Sequence, residues 1–237
     1  MKMKKYSLVL ATLLLGDNLI AEEMSSFEKA GISTSANLSI TSHYVWRGNT
    51  EGWMTDGITE SDSKIAVQGG FDFEHNSGAY VGTWVSNVYG GIEHDLYVGF
   101  SNDIGETGLS YDVGYIQYLY PSHEDSDFAE GYLGLSYSIS GVDLGVIAYQ
   151  DFENETTYAE LSAGYDLEVA SLSVTAGSYV VDNYDEVSGS GYHGTNFTGT
   201  IAVPVDKLEL SLTGYYYKGE FGDVDDSGAI VAVSTSF

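Results

Sequence analysis

Ionisable side chains stand at alternate positions in several stretches of this chain, and that spacing sets what chemistry they can do. Phe71-Asp72-Phe73-Glu74 is one instance; Asp112, Glu160 and Asp166 likewise sit between apolar neighbours. In an extended chain successive side chains point to opposite faces, so such carboxylates share a polar face backed by an apolar one. Asp72, Glu74, Asp95, Asp112, Glu130, Glu160 and Asp166 fall on that face, together with His43, Arg47 and Lys64. Carboxylates on a confined surface enrich cations and exclude anions. A few basic groups among them either line a channel or pair into an ionic plug. These ten residues are the candidate lumen-lining set.

Catalysis is the competing chemistry. The histidines are His43, His75, His94, His123 and His193. His193 shares its strand face with Thr195, and His123 sits among carboxylates. Neither spacing amounts to a Ser–His–acid constellation, although such groups converge only in space. His75 belongs in a turn and His43 on the polar face. No catalytic residue is assigned, and the reading calls for no metal or cofactor. Asp223-Val-Asp225-Asp226-Ser-Gly228 loosely resembles a calcium loop but lacks the distal Glu and the full ligand spacing.

The elements that must position these groups are strands. Twelve strand-like segments are expected. In the first, Ala36, Leu38, Ile40, Tyr44 and Trp46 oppose Asn37, Ser39, Thr41, His43 and Arg47. In the second, Ile65, Val67, Phe71 and Phe73 oppose Lys64, Gln68, Asp72 and Glu74. Residues 79–88 form a third, of ambiguous parity. Later segments set Leu96, Val98 and Phe100 against Asp95, and Leu133 and Leu135 against Glu130 and Gly134. Leu208, Leu210 and Leu212 oppose Glu209, Ser211 and Thr213. In the last, Ala229, Val231, Val233 and Phe237 oppose Ser234 and Ser236.

Short turns are expected at 75–78, 140–141, 168–170 and 204–206, where Asn, Gly, Asp and Pro supply turn geometry. Longer acidic loops fall at 48–62, 120–127, 151–156, 182–191 and 219–227. An even strand count with both termini on the short-turn side is the arrangement of bacterial outer-membrane barrels. Strands of roughly 9–12 residues suit a tilted crossing of the hydrocarbon layer. The terminal Phe237 resembles the assembly signal of such barrels, although Thr235 stands where an apolar residue is usual.

Residues 1–21 read as a signal peptide, with Lys2, Lys4 and Lys5 ahead of an apolar stretch too short to span a bilayer. Residues 22–35 read as a periplasmic lead-in and 36–237 as the barrel. The chain carries 8 basic and 35 acidic side chains. Removing residues 1–21, with three Lys and Asp17, leaves 5 and 34, a net of −29. Such a charge excludes a phosphate-tracking role on nucleic acid. The 20 Tyr, 9 Phe and 3 Trp argue against disorder. No cysteine is present, so stability must come from a closed backbone ladder rather than disulfides.

Alternation alone does not say which face points outward, since a soluble lipocalin-like barrel turns its apolar face inward. Phe237, the small or charged opposite face and aromatics near strand ends favour the membrane. Phe71, Phe73 and Tyr80 are expected at the periplasmic rim. Trp46, Tyr118, Tyr149, Tyr158, Tyr179 and Tyr192 are expected at the outer rim, as interfacial girdles.

Tyr44-Val-Trp-Arg-Gly48, Ala66-Val-Gln-Gly-Gly-Phe71, His75-Asn-Ser-Gly-Ala-Tyr-Val-Gly82, Trp84-Val-Ser-Asn-Val88 and Glu93-His-Asp-Leu-Tyr97 together resemble a proteobacterial porin family called TorF-like. Asp112-Val-Gly114 and Tyr120-Pro121 extend the likeness, whose dense part covers about residues 38–137. The resemblance implies an outer-membrane barrel without naming a solute, because such porins are named by architecture. The sequence thus predicts a closed antiparallel transmembrane β-barrel of twelve strands in the bacterial outer membrane. Its partners would be lipid, lipopolysaccharide and the barrel assembly machinery. Its activity would be a narrow, cation-preferring passage for small solutes. A plugged structural or adhesive barrel acting through its acidic loops is the alternative; an outer-membrane barrel hydrolase is a second. Eight-stranded barrels fill their interiors and sixteen-stranded ones hold water, so twelve leaves both an open and a plugged lumen in play.

Overall fold

A computed structural model of the protein describes residues 24–48, 65–88, 91–122, 126–181, 194–219 and 225–237. Residues 1–21, Lys64, His123, Tyr192, His193 and most of the long acidic loops lie outside them. A short helix α1 (Met24–Lys29) precedes twelve strands. These are β1 (Ile32–Thr41), β2 (Ala66–His75), β3 (Ala79–Val88), β4 (Gly91–Asp103), β5 (Leu109–Leu119) and β6 (Phe128–Ile139), then β7 (Val142–Asp151), β8 (Thr157–Asp166), β9 (Ser171–Val181), β10 (Gly194–Val205), β11 (Leu208–Gly219) and β12 (Asp225–Ser236).

Each strand pairs antiparallel with its sequence neighbour, and β1 pairs with β12 to close the barrel. The closing register runs from Asn37 opposite Ser236 to Thr41 opposite Ala232. Phe237 extends it, because its amide and carbonyl both bond Ala36, at 2.8 and 3.0 Å. Its ring projects outward, 64% exposed. Closure leaves no unpaired strand edge, which is what a backbone surrounded by hydrocarbon requires.

The predicted alternation governs the wall. Val67, Phe71, Leu96, Val98, Leu133, Leu135, Leu161, Leu210, Leu212, Val231 and Val233 are exposed on the outer face. Glu93, Asp95, Asp112, Glu130, Ser234 and Ser236 are buried on the inner one. The apolar face is therefore outside, the reverse of a soluble lipocalin-like barrel. β3 resolves the same way: Val81 and Val85 are exposed while Gly82 and Ser86 are buried. At the two-residue turn between β6 and β7, Ser140 and Gly141 have φ of 52° and 83°. Positive φ at both central residues matches the twist of the flanking strands, and the glycine accepts it without Cβ strain.

Three expectations are corrected. β1 begins at Ile32 and ends at Thr41, so residues 32–35 belong to the wall rather than to a lead-in, and α1 lies just before them. Residues 42–48 leave the ladder, so Tyr44 and Trp46 are not outward strand positions. Tyr118, Tyr149, Tyr158 and Tyr179 are buried inside the barrel and form no outer girdle, and Tyr80 also turns inward. Their hydroxyls explain the reversal. Those of Tyr80, Tyr118, Tyr158 and Tyr179 find partners inside that hydrocarbon would not supply, and Tyr149 packs its ring near the Arg47 guanidinium.

Candidate functional site

Inward tyrosines need room, and glycines on the neighbouring strand provide it. Tyr97 lies opposite Gly82 and Tyr80 opposite Gly99 across β3 and β4; Tyr132 lies opposite Gly114, and Tyr215 opposite Gly228. A Cβ added at any of these glycines would overlap the facing ring. The rings lie over the bare backbone, and two of them carry their hydroxyls to carboxylates further round the wall. Tyr97 donates to Asp72 at 2.5 Å, and Tyr80 donates to Asp112 at 2.5 Å while also meeting the Tyr132 hydroxyl. Tyr158 donates to Glu160 at 3.1 Å and accepts from Asn196 at 2.8 Å.

Towards the long-loop end, residues 42–48 fold into the lumen. Thr41 Oγ1 donates to the His43 carbonyl at 2.9 Å, and the Ser42 amide donates to the Val231 carbonyl at 2.9 Å. Arg47 (φ 48°) and Gly48 (φ 80°) are both left-handed. A side chain on Gly48 would be strained by that φ, and its Cβ would fall 2.5 Å from Asn196 Cβ. The turn aims the Arg47 side chain across the barrel.

There its guanidinium meets Glu130, which accepts two bonds from Nη2 at 2.9 and 2.7 Å, while Nη1 donates to the Tyr179 hydroxyl at 2.9 Å. Tyr118 adds a third bond to Glu130 at 3.0 Å. The guanidinium lies 4.1 Å from the ring centres of both Trp46 and Tyr158, and 5.0 Å from that of Tyr149. Trp46 in turn packs edge-on against Tyr118 and Phe128. The Arg47 and Glu130 side chains are 9% and 2% exposed. A charge pair so far removed from water is held by matched hydrogen bonds and by ring faces that favour a cation.

Beside this clamp, Tyr44 donates to both oxygens of Glu93 at 3.0 Å, and Tyr120 bonds the same carboxylate. Burial first, and the Glu93 charge second, push the pKa of both hydroxyls upward, so they remain donors. Asp95 lies next along β4, between Trp84 of β3 and Tyr118 of β5 in the register.

The sequence-predicted residues therefore separate into groups. Arg47 and Glu130 meet, and Asp95 stands near them. Asp72, Asp112 and Glu160 accept from inward tyrosines. His43 bonds Ser42 Oγ at 3.0 Å and the Tyr215 hydroxyl at 3.3 Å. Glu74 and Asp166 stand at the exposed short-turn end, away from the clamp. Lys64 lies outside the described residues. The tyrosine partners were not anticipated from the sequence. Their parity with the carboxylates was the available signal, since Tyr118 shares a face with Asp112 and Tyr158 with Glu160. His75 bonds the Ser77 hydroxyl within its turn, and His94 bonds Thr83, so neither joins the clamp. Among the described residues no three His, Asp or Glu side chains are grouped to hold a metal ion.

β9 to β11 line the lumen differently. Thr175 meets Thr198 at 2.6 Å, and Thr200 meets Thr213 at 2.8 Å. These threonines lie at mid-barrel; nearer the long-loop end the same three strands carry the buried Tyr179, Asn196, Tyr215 and Tyr217.

Known structures share this architecture. A KdgM porin superposes with a TM-score of 0.60 at 8% identity, covering 86% of this chain and 99% of that one. A NanC porin gives 0.54 at 10% identity, with the same coverage. An active-site mutant of outer membrane phospholipase A from Escherichia coli gives 0.50 at 15%, covering 86% and 89%. At such identities the likeness is one of fold. No curated protein matches the sequence. Residues 26–199 match the family described as "Bacterial protein of unknown function (Gcw_chp)", and the chain belongs to that family.

Proposed function

We propose that this protein is an outer-membrane porin of the TorF-like kind, a narrow passage for small cations and neutral solutes. The observation that carries the reading is the balance of charge on the inner wall. Asp72, Glu93, Asp95, Asp112 and Glu160 face inward, while the one inward guanidinium described, that of Arg47, is already neutralised by Glu130. A low-dielectric wall focuses such a field, so cations gather and anions are excluded. The porin-like barrels that superpose on the chain support the class. One of them, a KdgM porin, is described in complex with disordered oligogalacturonate. An acidic oligosaccharide suits this carboxylate-rich lumen poorly, so the solute class here is of opposite or no charge.

The exposed apolar belt supports a position in the bilayer, with the long acidic loops facing outward and α1 facing the periplasm. Phe237 then serves the assembly machinery as the chain's terminal signal, and lipopolysaccharide is the neighbour of the acidic loops. The clamp on residues 42–48 favours one further reading, in which the same barrel is closed at its long-loop end and acts structurally.

Planar-bilayer recording of the purified barrel tests the proposal. Reproducible small-conductance steps are expected. Silence from the wild type under all voltages would overturn the passage and leave the structural barrel. Silence combined with release of fatty acid from phospholipid would point to a hydrolase instead.

A further inference from the structure

Asp95 is the inward carboxylate whose hydrogen bonding is incomplete where the walls could complete it. Its side chain is 5% exposed, and Oδ1 has no hydrogen-bond partner. Its acidic neighbours differ. Glu130 is met by Arg47 and Tyr118, and Glu93 by Tyr44 and Tyr120. A buried carboxyl oxygen without a donor is costly to maintain unless something positive or N–H-bearing completes it. Asp112 also leaves one oxygen open, but it stands opposite Ser101 and Gly134 and has no ring beside it in the register.

The walls around Asp95 are aromatic. Trp84 and Tyr118 stand directly opposite it on the two adjacent strands and on the same inner face. The Tyr44 ring lies 6.2 Å from that of Trp84. Glu93 adds negative potential close by, whereas Glu130 is already paired with Arg47. A carboxylate oxygen that still accepts, the Trp84 ring and the Glu93 charge are complementary to a cation that donates N–H bonds. An ammonium group supplies up to three such donors, and its alkyl stem packs on the rings. A divalent metal is a poorer fit, since the described acidic side chains are not grouped with ligand geometry.

We propose that Asp95, Trp84 and Tyr118 form a lumenal binding site for the primary ammonium group of a small organic cation. This rests on the reading of the barrel as a passage for small cations and names the class of solute that would dwell there.

Isothermal titration of the full-length refolded barrel in detergent, with ethylammonium chloride as probe against a constant background of KCl, tests the site. Saturable binding is expected. Asp95→Asn, which keeps size and shape, should weaken it by about ten-fold or more, the loss that a charged hydrogen bond implies. Trp84→Leu should weaken it less, and Asp143→Asn, remote at the short-turn end, should leave it unchanged. Each variant is first checked for a folded, heat-modifiable band. A wild-type titration without saturation, or equal binding by Asp95→Asn, overturns the site. Conductance of the same samples separates the two readings. A conducting barrel that binds no ethylammonium removes the site alone, and a silent barrel that binds it removes the passage and leaves the site standing.

Discussion

The inner walls of β3–β8 and β9–β11 share one backbone plan and differ in what they hold. On the first, Tyr80, Tyr97, Tyr118, Tyr132 and Tyr158 lie over glycines or beside carboxylates and bond partners on the same or nearby strands, with Arg47 clamped at one end. On the second, Thr175 with Thr198 and Thr200 with Thr213 pair at mid-barrel, while nearer the long-loop end Tyr179 meets Arg47 and Tyr215 meets His43. At mid-barrel, long side chains take up interior volume that short hydroxyls do not. A twelve-stranded barrel stands between filled and open interiors, and this one sets bulky groups on one side of its middle layer and small ones on the other. On the proposed function, the acidic wall would carry the charge that selects, and the threonine layer of the hydroxyl wall would leave the room a solute needs.

Breaking the clamp should have the largest effect. Arg47→Ala leaves Glu130 buried with its cation removed, a loss of about 3–5 kcal/mol. The temperature at which the folded band disappears from detergent gels should fall clearly, and conductance per channel should rise as residues 42–48 lose their anchor. Arg47→Lys should recover only part of both, because one ammonium nitrogen replaces the two that reach Glu130 and Tyr179 and lacks the planar group that stacks on Trp46 and Tyr158. An unchanged melting temperature would mean that the clamp holds nothing.

The hydroxyl wall is probed from both sides of β11. Leu210 is 44% exposed on the outer face, and Ser211 lies inside. A charge on the lipid face near the bilayer centre costs about 2–4 kcal/mol. Leu210→Arg should therefore cut the amount of barrel recovered from membranes, while Ser211→Arg assembles normally in a wet interior. Equal loss from both would make that wall as tightly packed as the other.

Hydroxyl deletions should show the smallest effects and rank the two walls directly. Tyr97→Phe removes a bond to the Asp72 carboxylate, about 1.5–3 kcal/mol for a charged acceptor. Thr200→Ala removes a neutral bond, about 0.5–1.5 kcal/mol. Urea unfolding in detergent should place Tyr97→Phe below Thr200→Ala. The reverse order would put the structural burden on the hydroxyl wall.

Much of this architecture is legible from period two. The strand number, the outward set on β2, β4, β6 and β12, and the inward carboxylates all follow from alternation. Two things were not legible, for different reasons. The pattern Ile40, Tyr44, Trp46 keeps its parity past Thr41, so alternation alone continues β1 where the chain leaves the wall; Gly48 was the local sign of a turn. Tyr118 and Tyr158 share parity with Asp112 and Glu160, and reading them as an outer girdle set composition above parity. The neighbours of Asp95 depend on register between strands, which lies in the ladder and not in any one segment.

The reversal potential across a KCl gradient tests the central claim most directly. At low salt the account predicts a potential of the sign that marks K⁺ as the more permeant ion. The preference should shrink at high salt, since charges in water are screened within about 10 Å at 0.1 M and about 3 Å at 1 M. A channel that prefers chloride at low salt would contradict the claim that the inward carboxylates set what passes.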